Sequence, residues 1–392
     1  MENNTQFPLT RPAALALAQK YGTPLLVLSL TEIERNYRQL RQYLPQVRVH
    51  YAIKANPDRH ILERMISLGS SFDVASDGEI RLLRDLGVPG SRMIYANPVK
   101  PPRGLEACRE AGVRAMTFDS AAEIAKIAAA LPGATVLVRL CIDNRSAHVD
   151  LNRKFGCRPE QAVELLLQAK AAGLDAAGIA FHVGSQTTQS DPYLRALDTA
   201  RRLFDEASAQ GLPLRVLDIG GGLPIPEHHV AFNLEALLEQ IRARLDEDFP
   251  HTEIWAEPGR YLCGTAVNML TSVIGVTERN GSPWYFLDEG LYGTFSGILF
   301  DQWDFRLHTF KTGPRIPATF AGPSCDSLDI LFRDRLTEPL EEGDVLLVPD
   351  CGAYTSASAT TFNGFRRAPY LVWEDVADTY DGSPEEPARQ DE

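Results

Sequence analysis

The 392-residue sequence contains no long apolar segment. None of its stretches approaches the roughly 18 consecutive apolar residues that a membrane-spanning helix needs. The opening MENNTQFPLTRPAALALAQKYG has neither a basic region nor a long apolar core of the kind that a secretory signal carries. We therefore expect no membrane span and no secretion.

Positive charge is scarce in this sequence. Lysine and arginine together number 39 against 52 aspartates and glutamates, which gives a formal net charge of −13. Nonspecific nucleic-acid binding depends on basic surface, so the composition excludes that class of partner. An acidic protein instead attracts cationic substrates weakly through its overall field.

The six cysteines are spread along the chain without a recognisable spacing. They stand at positions 108, 141, 157, 263, 325 and 351, and no C-x-x-C or other metal-binding pattern occurs. Scattered cysteines of this kind are typical of reduced thiols in the cytoplasm. The sequence thus predicts a cytoplasmic location and no metal site.

Eight short apolar runs follow one another and end in polar or glycine-rich residues. They are VRVHYAIK (47–54), FDVAS (72–76), MIYAN (93–97), AMTFDS (115–120), TVLVRL (135–140), IAFHVGS (179–185), VLDIGGG (216–222) and EIWAEPGR (253–260). Helix-period stretches such as DGEIRLLRDLG and PEQAVELLLQAKAAG lie between them. Continuous apolar strands with intervening helices imply a parallel sheet buried on both faces. We therefore predict a (β/α)8 TIM barrel with its chemistry on the strand ends.

The pattern changes after Arg260 to strand-like runs without helices, namely MLTSVIGVTE, PWYFLDEG, PATFAGP and DVLLVPD. Such runs predict a C-terminal all-β domain. The early run TPLLVLS either joins that domain or enters the barrel. We expect an N-terminal segment at 1–29, a barrel at 30–265, a β domain at 266–378 and a disordered acidic tail at 379–392.

Lys54 ends the first of these runs and is followed at once by the turn signal Ala-Asn-Pro-Asp. Burying an unpaired ammonium costs several kcal/mol, so a lysine here needs an ion-pair partner or a covalent role. The covalent role is a Schiff base with an aldehyde cofactor.

Polar and glycine residues also occupy the other predicted strand ends. They are Asp73, Glu79, Arg139, His182, Ser185, Gly220, Gly221, Gly222, Glu257 and Arg260. The three glycines leave backbone N–H groups open to a phosphate, although a tight turn would equally explain them. Glu257 lies in a rigid Glu-Pro-Gly-Arg turn and can hold a pyridinium nitrogen protonated. His182 taken alone would more often be a structural histidine.

Seven ordered blocks give the chain a family resemblance. They are YAIKANPD, FDVASDGEI, FHVGSQ, DIGGG, AEPGRYL, GPSCDSLD and GAYTSASATTFNGF. Between residues 25 and 370 the chain resembles the fold type III pyridoxal-phosphate decarboxylases, an alanine-racemase-like group, and is most similar to its ornithine decarboxylases. The resemblance implies pyridoxal 5'-phosphate as cofactor and an N-terminal segment that returns to the β domain.

The resemblance also implies a role for each candidate residue at the cofactor. Lys54 would form the Schiff base, Glu257 would face the ring nitrogen, and His182 would stack on the ring. Glu79 and Arg139 match positions that order the surroundings of Lys54, although an ion pair between them would explain both. The remaining cofactor-binding positions that it implies are Asp73, Ser185, Gly220, Gly221, Gly222, Gly259, Arg260 and Tyr354.

A second set of implied residues concerns the substrate and the partner subunit. Cys325 would protonate the carbanion, and Asp326 would bind the distal ammonium, both in the active site of the other subunit. Asp301 matches a second acid near that ammonium, and Tyr292 and Phe362 complete the substrate-binding set. Lys154 and Asp329 match an ion pair across subunits, so the resemblance implies a homodimer with shared active sites.

These implications predict decarboxylation of a basic L-amino acid, foremost L-ornithine to putrescine and CO2 in polyamine biosynthesis. After Asp301 the chain reads Gln-Trp-Asp-Phe, where animal-type ornithine decarboxylases carry a histidine-containing run, so Trp303 can reshape the pocket. A lysine or bifunctional lysine/ornithine decarboxylase is therefore the next hypothesis, followed by a diaminopimelate or secondary-metabolite decarboxylase. An inactive, decarboxylase-like regulatory binding protein is disfavoured because the cofactor and acid residues are all present.

Overall fold

The structure, a computed structural model, describes residues 9–142, 154–227 and 230–380. Its helices and strands in chain order are α1 (Arg11–Tyr21), β1 (Leu25–Leu28), α2 (Leu30–Tyr43), β2 (Val47–Ala52), α3 (Arg59–Ser67), β3 (Ser71–Val74), α4 (Asp77–Asp85), β4 (Met93–Tyr95), α5 (Pro102–Ala111), β5 (Ala115–Phe118), α6 (Ala121–Ala130), β6 (Thr135–Arg139), α7 (Pro159–Ala171), β7 (Asp175–Ala180), α8 (Asp191–Ala209), β8 (Val216–Asp218), α9 (Leu234–Asp248), β9 (Glu253–Ala256), α10 (Arg260–Cys263), β10 (Val267–Arg279), β11 (Ser282–Leu287), α11 (Gly297–Phe300), β12 (His308–Thr309), β13 (Ile316–Ala321), β14 (Ile330–Thr337), β15 (Val345–Val348), β16 (Tyr370–Val372) and α12 (Ala377–Tyr380).

Strands β2 to β9 close into a parallel barrel in sequence order, and β2 pairs with β9 to complete the ring. The barrel lies within Glu34–Leu262, which forms one compact unit. Strands β3, β4 and β8 are buried along their whole length, as expected where helices cover the outside and side chains fill the inside. The predicted (β/α)8 barrel is confirmed.

Short polar residues set where several barrel helices begin. The Ser76 hydroxyl accepts a hydrogen bond from the Glu79 N–H (3.2 Å) at α4, and the Asn233 side chain accepts one from the Ala236 N–H (3.1 Å) at α9. Each such cap satisfies a backbone donor that has no partner within its helix. These helix starts therefore fix the loops that follow the strands, where the polar strand-end residues lie.

Strand β7 begins earlier than the apolar run IAFHVGS suggested. Its first residues, DAAG, are small or polar, but Gly178 packs so closely that a Cβ there would lie 1.8 Å from the Val216 carbonyl oxygen. Close packing, and not β propensity, places this segment in the barrel. As a result β7 ends at Ala180, and His182 and Ser185 belong to the loop that follows it.

The second unit comprises Met1–Ile33 and Cys263–Glu392. Its mixed sheet has the strand order β12-β15-β10-β11-β13-β14, and β1 pairs antiparallel with β10 and parallel with β16. Helix α1 packs Ala13, Ala14 and Leu17 into a core with Leu25 and Leu270. The predicted β domain is thus present, and the TPLLVLS run supplies one of its strands.

The described part of the chain contains no helix that is both long enough and apolar enough to cross a membrane. All six cysteines are free thiols, of which Cys325 is exposed and Cys141 half-buried.

Candidate active site

Lys54 and Asp73 form an ion pair at the carboxyl ends of β2 and β3. Lys54 lies in a short 3-10 turn directly after β2, and its Nζ is 2.6 Å from Asp73 Oδ2. The Asp73 side chain is 1% exposed, whereas that of Lys54 is 43% exposed. The amine is therefore held by a buried carboxylate, on a side chain that is itself partly exposed.

Glu257 is a buried carboxyl group directly after β9. Burial raises its pKa well above the ordinary value, the charges of Asp218 and Asp73 raise it further, and Lys54 and Arg139 oppose the shift. Its Oε1 atom is buried and has no hydrogen-bond partner among the described residues. A buried oxygen without a partner is costly, so this atom is suited to a donor on a bound group.

His182 is a neutral ring in this site. Its Nδ1 accepts a hydrogen bond from the Gly184 N–H (3.0 Å), which leaves the hydrogen of the neutral tautomer on Nε2. Burial, and then the positive charges of Arg139 and Lys54, lower its pKa well below the ordinary value. An uncharged imidazole next to these cations offers a flat face for stacking.

The glycine run after β8 bears on both explanations that the sequence left open, a tight turn and a phosphate site. Gly220 and Gly222 have φ values of +69° and +104°, and a Cβ on Gly222 would lie 2.3 Å from the Gly184 carbonyl oxygen. The tight-turn explanation therefore holds. In addition, no described residue accepts a hydrogen bond from the N–H of Gly221 or Gly222, and such donors suit an anion.

Two further residues were predicted to face this anion. Arg260 is the first residue of α10 and is 5% exposed, and Ser185 is half-buried in the loop after β7. Gly259 precedes Arg260, and a Cβ on Gly259 would lie 2.8 Å from the Ala55 Cβ beside Lys54. Substitution at Gly259 would therefore disturb the turn that carries the amine.

Glu79 and Arg139 do not pair with each other. The Glu79 carboxyl accepts a hydrogen bond from the Ala75 N–H (2.6 Å), and burial raises its pKa to about 7. Arg139 ends β6 and is 7% exposed, and its Nε has no hydrogen-bond partner in the described ranges. The ion-pair explanation finds no support, and the Arg139 charge acts on His182 and Glu257 instead.

Asp218 is a site residue that the sequence reasoning missed. It is the last residue of β8 and is fully buried, and its Oδ1 accepts a hydrogen bond from the Gly220 N–H (2.8 Å). Its position in the sequence could have identified it, because Asp218 is a carboxylate at a strand end just before the glycine run.

The second unit brings three predicted substrate residues together. The Tyr292 hydroxyl donates a hydrogen bond to the Asp326 carboxylate, and the Tyr292 ring stacks on Phe362 with centroids 4.2 Å apart. The Leu328 N–H and then the Tyr292 hydroxyl lower the pKa of Asp326, so this acid is an anion near neutral pH. The Cys325 N–H donates to Asn363 Oδ1 (3.1 Å).

Asp301 and Tyr354 lie elsewhere in the same unit. The Asp301 N–H donates to the Gly297 carbonyl (3.0 Å), and Tyr354 is half-buried with a φ of +55°. Trp303, which departs from the animal-type ornithine decarboxylases, is 9% exposed. The Trp303 N–H donates to the same Gly297 carbonyl (3.1 Å) as the Asp301 N–H.

Lys154 and Asp329, the predicted pair across subunits, each have other contacts within the chain. Lys154 lies over the Phe155 ring at 4.9 Å. The buried Asp329 accepts hydrogen bonds from the Leu291 N–H (2.8 Å) and the Ser324 N–H (3.1 Å). The pairing across subunits stays a prediction.

Comparison with known proteins places this geometry in a family. The model of the "pyridoxal-dependent decarboxylase, pyridoxal binding domain" matches residues 30–264. The lysine/ornithine decarboxylase of Selenomonas ruminantium is 52% identical over 370 residues, which cover 94% of each chain. Antizyme inhibitor 2 of Xenopus laevis is 35% identical over 88% of this chain and 79% of its own.

A solved structure shows the same fold. The crystal structure of SrLDC in complex with PLP and cadaverine has 50% sequence identity and a TM-score of 0.92, and the match covers 97% of each chain.

The packing around Gly222 predicts a specific loss of stability. Gly222→Ala forces a side chain into a positive φ and against the Gly184 carbonyl oxygen, whereas Gly211→Ala meets nothing within 4 Å at a φ of +75°. Because only the first variant adds a steric clash to the conformational cost, its free energy of unfolding should be lower than that of Gly211→Ala by about 1–3 kcal/mol. Urea unfolding of both variants measures the difference, and equal losses would contradict the packing.

Proposed function

The chain belongs to the pyridoxal-dependent decarboxylases, and we propose that it decarboxylates L-ornithine and L-lysine to their diamines and CO2. It is an enzyme whose cofactor is pyridoxal phosphate. The observation that carries the proposal is the strand-end cluster, in which an accessible amine, a neutral imidazole and a buried carboxyl with an unpartnered oxygen lie together.

The residues of the barrel fit this cofactor. Glu257 Oε1 has no hydrogen-bond donor among the described residues, and the ring N–H of the cofactor would supply one. The N–H groups of Gly221 and Gly222 have no acceptor there, and the phosphate would supply it. Ser185, Arg260 and Tyr354 are the side chains proposed to add to the phosphate contacts. When bound, pyridoxal phosphate supplies an electron sink for the electron pair that loss of CO2 leaves at Cα.

Each residue of the cluster then has a physical task. Lys54 provides the amine for covalent attachment, and Asp73 holds that amine in position through their ion pair. His182 stays uncharged because burial, and then the charges of Arg139 and Lys54, lower its pKa, so it can pack flat without adding a charge. Glu257 keeps a proton on the ring nitrogen, which is the condition for drawing electrons from Cα.

Cys325 and Asp326 of the second unit are proposed to act on the substrate in the partner's site. Asp326 is an anion whose carboxylate is oriented by the Tyr292 hydroxyl, and with Asp301 it would bind the distal ammonium. Cys325 carries an exposed thiol that can return a proton to Cα. This arrangement needs a homodimer with shared sites.

The charges favour a substrate with a cationic end. A diaminopimelate enzyme has to accept a distal carboxylate, which the Asp326 anion would repel. Ornithine and lysine differ by one methylene, and a pocket discriminates one methylene by only about 1–3 kcal/mol. We therefore propose that both are substrates, in keeping with the name of the Selenomonas ruminantium relative.

An inactive regulatory protein is the alternative from another class, because an antizyme inhibitor is among the relatives. The Lys54–Asp73 pair and the partnerless Glu257 oxygen favour the enzyme. CO2 release from L-ornithine, L-lysine, meso-diaminopimelate and L-arginine decides the matter, and no release from any of them would sink the proposal.

Lys54→Ala should abolish the visible absorption that purified protein gives with pyridoxal phosphate, because covalent attachment needs this amine. The exposed Lys170, whose ammonium only reaches the Gly211 carbonyl (3.1 Å), provides the control variant Lys170→Ala. An absorbance scan after cofactor addition measures both. A band that persists in Lys54→Ala would assign the attachment to another lysine.

Asp326→Ala should lower kcat/KM for L-ornithine and L-lysine by about 30-fold to several thousand-fold, while the cofactor spectrum stays unchanged. Losing one partner of a buried charged pair costs about 2–5 kcal/mol, and 1.36 kcal/mol is a factor of ten. Asp205→Ala removes a carboxylate that is 62% exposed and serves as the control. Near wild-type efficiency in Asp326→Ala would overturn the diamine-forming assignment.

Mixing a Lys54→Ala chain with a Cys325→Ala chain should restore activity. If sites are shared, each heterodimer regains one intact site, so random exchange yields about a quarter of wild-type activity. Subunit exchange is checked by mass measurement of differently tagged chains. A mixture that exchanges fully yet stays as inactive as its parents shows that each site is built by one chain.

A further inference from the structure

Asp218 and Glu257 are two buried carboxyl groups at neighbouring strand ends. They are 0% and 4% exposed, and β8 pairs with β9 along the strands that carry them. Gly220 links them through the backbone, because its N–H donates to Asp218 Oδ1 (2.8 Å) and its carbonyl accepts from the Glu257 N–H (2.7 Å). Their separation is therefore set by the barrel and not by flexible side chains.

Each of the two groups has one oxygen without a donor. Asp218 Oδ2 and Glu257 Oε1 are buried and have no hydrogen-bond partner among the described residues when both groups are ionised. Glu257 is nevertheless within reach to donate a hydrogen bond to Asp218 once it carries a hydrogen. One proton supplies this donor and removes the repulsion between two carboxylates.

The charges around the pair match a single proton. Asp73 on β3, Lys54 after β2 and Arg139 on β6 act on it. Lys54 and Asp73 neutralise each other at 2.6 Å, and His182 is uncharged. Arg139 lowers the pKa of both groups and so favours one of them as a carboxylate, while burial disfavours two carboxylates side by side.

We propose that Asp218 and Glu257 share one proton, and that Asp218 is thereby a positioning residue for the Glu257 carboxyl. The importance of Glu257 for the cofactor rests on the proposed function, whereas the shared proton exists in the chain itself. Asp218 would then influence the proton affinity of the Glu257 carboxyl, which is the group proposed to face the ring nitrogen.

The pH dependence follows from the directions of the pKa shifts. Burial raises the pKa of Asp218 to about 6 and that of Glu257 well above its ordinary value. The folded protein therefore binds protons more tightly here than the unfolded chain. Their contribution to stability is full below about pH 4 and is lost as pH rises through 6 and above.

Infrared difference spectra of the full-length, cofactor-free chain at pH 6.5, above the Asp218 pKa of about 6 and below the Glu289 pKa of about 7, test the proposal, because a protonated carboxyl absorbs apart from a carboxylate. Asp218→Asn should lose one carboxylic-acid band relative to wild type, since the amide can still accept from the Gly220 N–H and can itself donate to Glu257. Glu257→Gln should also lose one carboxylic-acid band, since its amide can donate to Asp218 in place of the shared proton. The double variant should lose the same single band.

Glu289→Gln serves as the control. Glu289 is another buried carboxyl, with a pKa raised to about 7, and its loss should remove a separate band that adds to either single variant. If the band survives in Asp218→Asn, the proton belongs to Glu257 alone and the proposal fails. It also fails if the double variant loses two bands. Circular dichroism checks that each variant folds. Asp218→Asn and Glu257→Gln each remove one carboxyl of the pair.

The outcome is separate from that of the proposed function. The spectra require neither pyridoxal phosphate nor a substrate, so absent CO2 release would overturn the decarboxylase assignment and leave the shared proton standing. Conversely, an active enzyme whose acid band persists in Asp218→Asn would retain its function and lose this inference.

Discussion

Burial of ionisable groups at one end of a closed barrel is the constraint on which the active site depends. Asp73, Asp218 and Glu257 are each at most 4% exposed, and water cannot stabilise their charges. They must be neutralised by cations, by backbone N–H groups or by protons. The ion pair of Lys54 with Asp73 and the raised pKa of Glu257 are two responses to this constraint.

The same constraint prepares the site for its cofactor. Several hydrogen-bonding groups at the strand ends have no partner among the described residues. They are one oxygen of Glu257 and the N–H groups of Gly221 and Gly222, all in the turns directly after barrel strands. Binding a group with a ring nitrogen at one end and a phosphate at the other would satisfy both. Such a site lowers the stability of the cofactor-free protein, but its hydrogen-bonding groups are already in position when the cofactor binds.

Recognition of the substrate follows a different principle. Asp326 is half-buried in the single chain, and its carboxylate is oriented by the Tyr292 hydroxyl and the Leu328 N–H. An anion that is already fixed in direction loses little entropy when an ammonium binds. Its proposed place in the partner's site would bury it, which would strengthen its attraction for the substrate.

The sequence by itself determined the barrel, and it predicted most of the residues of the candidate site. Apolar runs of strand length alternate with helix-period stretches, and this periodicity depends only on neighbouring residues. The run containing Lys54 and the Glu-Pro-Gly-Arg turn at Glu257 also marked the strand ends. The β7 boundary was misjudged because Gly178 owes its place to contact with Val216, a residue far along the chain.

Only the tertiary structure decided how the site residues act on one another. Asp218 and Glu257 are separated in sequence but are joined through Gly220. His182 is neutral because it is buried and because Arg139 and Lys54 add positive charge beside it. Local sequence does not give the distances between these groups or how deeply each polar group is buried. Charge interactions and pKa values depend on both, so they arise only when the barrel closes and brings its strand ends together.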